Sequence, residues 1–346
     1  MDQTLLYNLC HGIPKIELHC HLFGTVRKTT MMYLNNKAGK PLTDQELNEF
    51  YVRGEKPVGV LRILRALDKY LIRTEDDLYR LTTEYLEDAH SHNVRYSEFF
   101  WNPTGTVKVS CIEYHKAQGA IVAAIRDSEK RLGIKSRLII SIDREESPES
   151  AIEMVLWMTK YRAPEVVGIG IDYREELGPP EKFIEAYRCA KQAGFRATAH
   201  AGEFGCRPKN IEVAINHLNV DRIDHGYTVL EDDSLTKECL DRKFVFTVVP
   251  TNSYYLRTLT PEDWERKHPI RLMVQRGLRV FPNTDDPAFH QVTPTKAWMM
   301  MVEHFGCTIS DLKKCLQYSI EAAWIDESTK ETWMQEWPSY FDAFLK

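Results

Sequence analysis

The chain has 346 residues, with 45 Lys and Arg against 50 Asp and Glu and a net charge of −5. No basic surplus exists to neutralise phosphates, which argues against a nucleic-acid binder, and 43% hydrophobic residues exclude a disordered chain. No apolar run reaches the ~20 residues of a membrane span, and the N-terminus lacks a basic start, apolar core and cleavage site, so no leader peptide is expected.

Eight short apolar runs read as buried strands. In chain order they cover residues 14–19, 94–100, 137–142, 166–171, 195–200, 222–225, 244–249 and 278–283. Between them lie stretches with helical spacing, such as 114–131, 150–161 and 180–193. The last is punctuated by Pro179 and Pro180 at its start and Gly194 at its end. The gap from 20 to 93 is too long for one crossover and should hold extra helices. Its leucines at 61, 64, 67 and 71 suit helix packing or a lid over the mouth of the fold. Alternating strands and helices imply a parallel sheet with covered faces. Eight strands are the number that closes a (β/α)8 TIM barrel, here one domain over 1–346 with extra helices inserted after the first strand. A doubly wound sheet is disfavoured, because no GxGxxG follows the first strand.

The eight cysteines are scattered without a CxxC. They read as reduced thiols of a cytoplasmic protein rather than a disulfide frame or zinc ribbon.

Catalytic groups of a barrel sit at the C-terminal strand ends. The first run ends in His19-Cys20-His21, the fifth in His200-Ala201-Gly202-Glu203, the sixth in His225-Gly226 and the eighth in Asn283-Thr284-Asp285-Asp286-Pro287. Residues i and i+2 of a strand point the same way, so His19 and His21 can converge on one ion. With His200 and Asp285 they offer three nitrogens and one oxygen, a donor set that suits Zn²⁺ with a place left for water. Glu203, just past its strand, can move a proton to and from that water. His225 can stabilise a hydroxide or an oxyanion. Asp286 can accept a hydrogen bond from substrate, and two adjacent aspartates themselves call for a nearby cation. His290 could border the mouth, whereas His90, His92, His115, His217, His268 and His304 read as solvated or capping residues.

The strings PKIELHCHLFGT (14–25), HAGE (200–203), RIDHG (222–226) and NTDDP (283–287) together resemble the adenosine deaminase family of the amidohydrolase superfamily. The resemblance covers essentially the whole chain. It implies a TIM barrel with one zinc per chain, held by His19, His21, His200 and Asp285. It implies that Glu203 protonates purine N1, that His225 orients the attacking hydroxide and that Asp286 meets purine N7. The implied reaction is hydrolytic replacement of a purine 6-amino group with release of ammonia, on adenosine, adenine or a 6-aminopurine derivative. Gly202 and Phe23 are further candidate substrate contacts. Adenosine-specific members carry an acid where Phe23 stands, to meet the ribose 5′-hydroxyl. A phenyl ring cannot accept that bond, and an unpaired hydroxyl costs about 1–3 kcal/mol, so Phe23 implies an apolar or aromatic substituent where ribose would sit. The family's LAGDE-type string is also missing, replaced by Ile171-Asp172-Tyr173-Arg174-Glu175-Glu176. RIDHG, GLRVFPNTDDPAF and Gly178-Pro179-Pro180 look closer to the adenine deaminases. The other readings are an amidohydrolase of another amino-heterocycle or amide, and a non-catalytic binder of a purine or a protein. Metal analysis and substrate profiling separate the three.

Overall fold

Eight apolar strand segments, each followed by helix, need both faces of their sheet covered, and a closed barrel with an outer helical ring does this. The computed structural model describes residues 2–52, 59–342 and 344. Its strands are β1 (Lys15–Glu17), β2 (Val94–Trp101), β3 (Lys135–Asp143), β4 (Val166–Asp172), β5 (Arg196–Ala201), β6 (Arg222–His225), β7 (Val245–Val248) and β8 (Arg279–Pro282). They pair in sequence order, and every pair is parallel. This is the (β/α)8 barrel expected from the eight apolar runs.

The seam between β8 and β1 is closed beyond the strands proper. Asp285 N–H donates to His19 O and His21 N–H donates to Asp285 O, both at 2.9 Å. β1 is shorter than the 14–19 run because the ladder is interrupted at Leu18, whose N–H donates to the Asn283 side-chain oxygen at 2.9 Å. The closure therefore uses the same residues that carry candidate chemistry.

The barrel's lower end is filled by apolar side chains and one buried ion pair. Arg222 lies 2.7 Å from Glu98, and its guanidinium stacks 3.9 Å over the Trp324 ring. Tyr96 O–H also donates to Glu98 at 2.7 Å, so the buried carboxylate is well partnered.

The long gap after β1 holds helices at Lys28–Lys37, Asp44–Phe50, Val60–Ala66 and Glu75–Ser91, with a π-helical turn at Leu67–Leu71. The four leucines divide between the two roles. Leu61 and Leu64 face the cavity at the barrel mouth, while Leu67 and Leu71 are buried in the core. The segment expected as one helix over 180–193 is instead a 3-10 turn, Pro180–Phe183, followed by a helix at Ile184–Gln192. Pro180 opens the tighter 3-10 turn at its first position, where a missing N–H costs nothing. Among the described residues, no helix is long and apolar enough to cross a membrane.

Candidate active site

Four donors meet at the C-terminal mouth of the barrel. The ligand atoms of His19, His21, His200 and Asp285 all lie within 4.8 Å of one another, and all four residues are buried. His21 Nε2 is 3.1 Å from His200 Nε2 and 3.2 Å from Asp285 Oδ1, and His19 Nε2 is 3.6 Å from the same oxygen. Ligands 2.0–2.2 Å from one tetrahedral zinc ion stand roughly 3.3–3.6 Å apart, so the spacing fits such an ion.

Each imidazole is aimed by what its other nitrogen touches. His19 Nδ1 lies 3.1 Å from the Thr247 carbonyl and 3.0 Å from its hydroxyl. His21 Nδ1 faces Asp172 at 3.3 Å, and His200 Nδ1 faces Asp224 at 3.4 Å. An acceptor at Nδ1 draws the proton there and leaves the Nε2 lone pair for a metal. Asp172 is itself held by Asn102 at 2.6 Å, and Asp224 accepts from Thr247 at 2.7 Å and Thr198 at 2.9 Å.

The electrostatics call for positive charge at this point. Burial opposes charge on His21, yet the Asp172 and Asp285 carboxylates hold its pKa well above the usual imidazole value. Burial also opposes ionisation of Asp285, but His19 and His21 keep its carboxyl well below the usual range. His200 goes the other way, lowered to about 4 by burial and by the neighbouring His19. A divalent cation satisfies the whole set at once.

Beside the donors lies a second group. Glu203 Oε1 accepts from Asn252 at 3.0 Å, and Glu203 Oε2 is 3.5 Å from His225 Nε2. Burial, with the negative charges of Asp285 and Glu175 next, raises the Glu203 carboxyl well above its ordinary value. Burial, then His19 and His200, lowers His225 well below the usual imidazole value. A proton-holding carboxyl thus stands next to a neutral imidazole. The backbone under Glu203 is pinned by Glu175, which accepts from Gly202 N–H at 2.8 Å, Glu203 N–H at 3.1 Å and Asn210 at 2.7 Å. Asp286 is fixed by close approach to the first loop, where any side chain at Gly24 would collide with it. A cavity of about 240 Å³ opens over these groups, roofed by Val60, Leu61 and Leu64 and walled by Tyr173 and Phe204.

Comparison with known proteins gives this arrangement a family. The adenosine deaminase profile matches residues 14–337. The chain belongs to the adenosine deaminase family. An adenine deaminase of Vibrio parahaemolyticus is 32% identical over 95% of this chain and 96% of its own. An adenine deaminase of Chlorobium luteolum is also 32% identical, covering 96% of each chain. Among solved structures, a zinc-bound amidohydrolase from Burkholderia ambifaria superposes with a TM-score of 0.97 at 53% identity, covering 100% of this chain and 95% of that one. An adenine deaminase of Arthrobacter aurescens gives 0.85 at 26% identity, covering 96% and 99%. The chain is a hydrolytic deaminase of this family.

Within this deaminase, His19, His21, His200 and Asp285 come together, and Glu203, His225, Asp286 and His290 line the same cavity as His21, His200 and Asp285. Phe23 and Gly202 are not among the described residues that line it. Phe23 is buried in the 3-10 turn Leu22–Thr25, all four residues of which are buried. Gly202 lies beneath the cavity with φ +70, where a side chain would meet Thr228 and Ile211. Arg174 pairs with Glu145 at 2.7 Å and does not line the cavity. His268 caps the helix Pro269–Gln275 but is fully buried rather than solvated. The sequence reading missed Asp172, Asp224, Thr247, Glu175 and Asn252. The available signal was position, since the first three lie on strands and the other two in the loops that follow β4 and β7.

Proposed function

We propose that this chain is a zinc-dependent purine aminohydrolase, forming one catalytic domain with one zinc ion. It replaces the 6-amino group of adenine or a close 6-aminopurine with oxygen and releases ammonia. The observation that carries this reading is the convergence of His19, His21, His200 and Asp285 at the edge lengths of a tetrahedral zinc site. The curated adenine deaminase relatives favour a free base, as does a cavity roofed by apolar lid residues.

His19, His21, His200 and Asp285 would hold the ion. When bound, zinc lowers the pKa of a water from 15.7 to about 7 and so supplies the nucleophile at neutral pH. Glu203 holds a proton beside the cavity and delivers it to ring N1, which draws electrons from C6 as the oxygen attacks. His225, kept neutral, orients the attacking oxygen and accepts a hydrogen bond from it. Asp286 shares a proton with the N7 lone pair and fixes the ring. Glu203 then passes the proton it takes from the nucleophile to the departing amine. The balance is one water consumed, one C–N bond broken, one C–O bond formed and one ammonia released.

The test is metal analysis together with adenine turnover, followed by the ultraviolet shift to the 6-oxo product and by ammonia. About one zinc per chain with stoichiometric ammonia is expected. A zinc-replete enzyme inert on a panel of 6-aminopurines would remove the proposal.

A further inference from the structure

Among the described residues, nine other than glycine have left-handed backbone. Six of them, Lys40, Asn93, Cys111, Asn219, Lys243 and Gln291, are exposed or half-buried. The three buried ones are Tyr173 (φ +67), His225 (φ +68) and Asp285 (φ +63). All three sit at or just beyond the C-terminal end of a strand, β4, β6 and β8, and all three line the one cavity above the metal donors. His225 and Asp285 are accounted for by the proposed chemistry. Tyr173 is not. A bulky side chain in this region costs free energy, and such a cost persists where the surroundings over-determine it, commonly at functional sites.

The surroundings of Tyr173 are built to hold its ring. The Arg65 guanidinium, on the roofing helix Val60–Ala66, lies 4.1 Å over the ring centroid. Arg65 is anchored in turn by an ion pair with Asp143 at the end of β3 and by Glu145 at 3.4 Å. Glu145 is gripped by Arg174, the residue after Tyr173, at 2.7 and 3.0 Å. The ring is thus clamped from the lid and from its own loop. Its hydroxyl makes no hydrogen bond to any described residue, although the ring is only 5% exposed. A buried phenol usually finds a partner, and Tyr173 lines the cavity.

We infer that Tyr173 is a specificity-determining residue whose clamped ring walls the substrate cavity and whose hydroxyl hydrogen-bonds the edge of the purine remote from the 6-amino group. This rests on the purine aminohydrolase reading above. The hydroxyl both donates and accepts, so it suits the paired ring N–H and lone pair of a free purine base better than an edge blocked by a sugar.

The experiment compares zinc-loaded wild type with Tyr173→Phe and Tyr173→Gly. It measures kcat and KM for adenine, zinc content and Tm. Tyr173→Phe should raise KM about five- to tenfold, the loss of one hydrogen bond, with kcat within about twofold and zinc unchanged. Tyr173→Gly should raise KM further and lower Tm, because relief of the left-handed backbone is outweighed by the cavity left by a buried ring. KM within twofold of wild type in both variants overturns the inference. So does a wild-type-like Phe variant beside a Gly variant that fails to fold, since the ring would then be packing alone. Wild type inert on every 6-aminopurine is a different failure, that of the parent reading. Adenine affinity by calorimetry in wild type and Tyr173→Phe then still decides Tyr173, and equal affinities count against it.

Discussion

At the scale of single residues, the site separates groups that meet substrate from groups that aim them. Glu203 belongs to the first kind. Glu203→Gln keeps the volume and the bond from Asn252 but cannot shuttle a proton. It should retain zinc and lose about 10³-fold in kcat, within the range for general acid–base groups; a variant with kcat near wild type would take Glu203 out of the proton path. Asp224 belongs to the second kind. It holds His200 Nδ1 at 3.4 Å, and Asp224→Asn should weaken zinc binding about 10- to 100-fold, read by competition with a chelator. Glu175 pins the turn beneath Glu203 with two backbone bonds. An amide has one oxygen where the carboxylate has two, so Glu175→Gln should lower kcat about tenfold or more, with KM for adenine and zinc content little changed. These aiming residues explain where sequence reading stops. Asp224 precedes His225 directly, and strand alternation sends neighbours to opposite faces. The left-handed backbone at His225 breaks that alternation, so both side chains reach one site. No spacing rule shows this in advance, whereas His19 and His21 obey the rule and were legible.

At the scale of elements, the strands were legible because buried parallel strands are short apolar runs. Their ends were less so, since side-chain oxygens such as that of Asn283 replace ladder bonds at Leu18. The lid was only half legible. Leu61, Leu64, Leu67 and Leu71 share helical spacing, but the π turn at Leu67–Leu71 re-aims the last two into the core. The helix Pro269–Gln275 offers a test of its own. His268 is its N-cap, its ring nitrogen accepting from Ile270 N–H at 3.2 Å, and it is packed against Trp264 and Phe305. Burial, then the nearby His304, lowers its pKa to about 3. A group whose folded pKa is depressed stabilises fully above its unfolded value near 6.5 and loses that contribution as pH falls toward the folded value. At pH 5 the loss is roughly 2 kcal/mol. His268→Asn keeps a capping side chain without the titration. Its stability, measured by denaturant unfolding, should fall less between pH 7 and pH 5 than that of wild type; parallel slopes would deny His268 this role.

At the scale of the whole molecule, the metal donors and the barrel closure are one structure. β1 and β8 are joined beyond their strands by the bonds between His19, His21 and Asp285, and the same three residues supply donors together with His200 from β5. An ion bound there links three strands across the mouth and neutralises carboxylates buried with the histidines. Zinc at a thousandfold excess over its Kd therefore adds about 4 kcal/mol to folding. Removing it with a chelator should lower Tm by several degrees, and adding zinc back should restore it. The loss should also be local. Hydrogen exchange at the His21 and Asp285 amides, which close the seam, should speed up far more than at the β2–β3 pairing on the far side of β1, where six residue pairs run in register. Uniform acceleration across all eight strands would mean that the ion stabilises the barrel globally and not through this seam, and an unchanged Tm would mean that the four donors do not hold an ion at all.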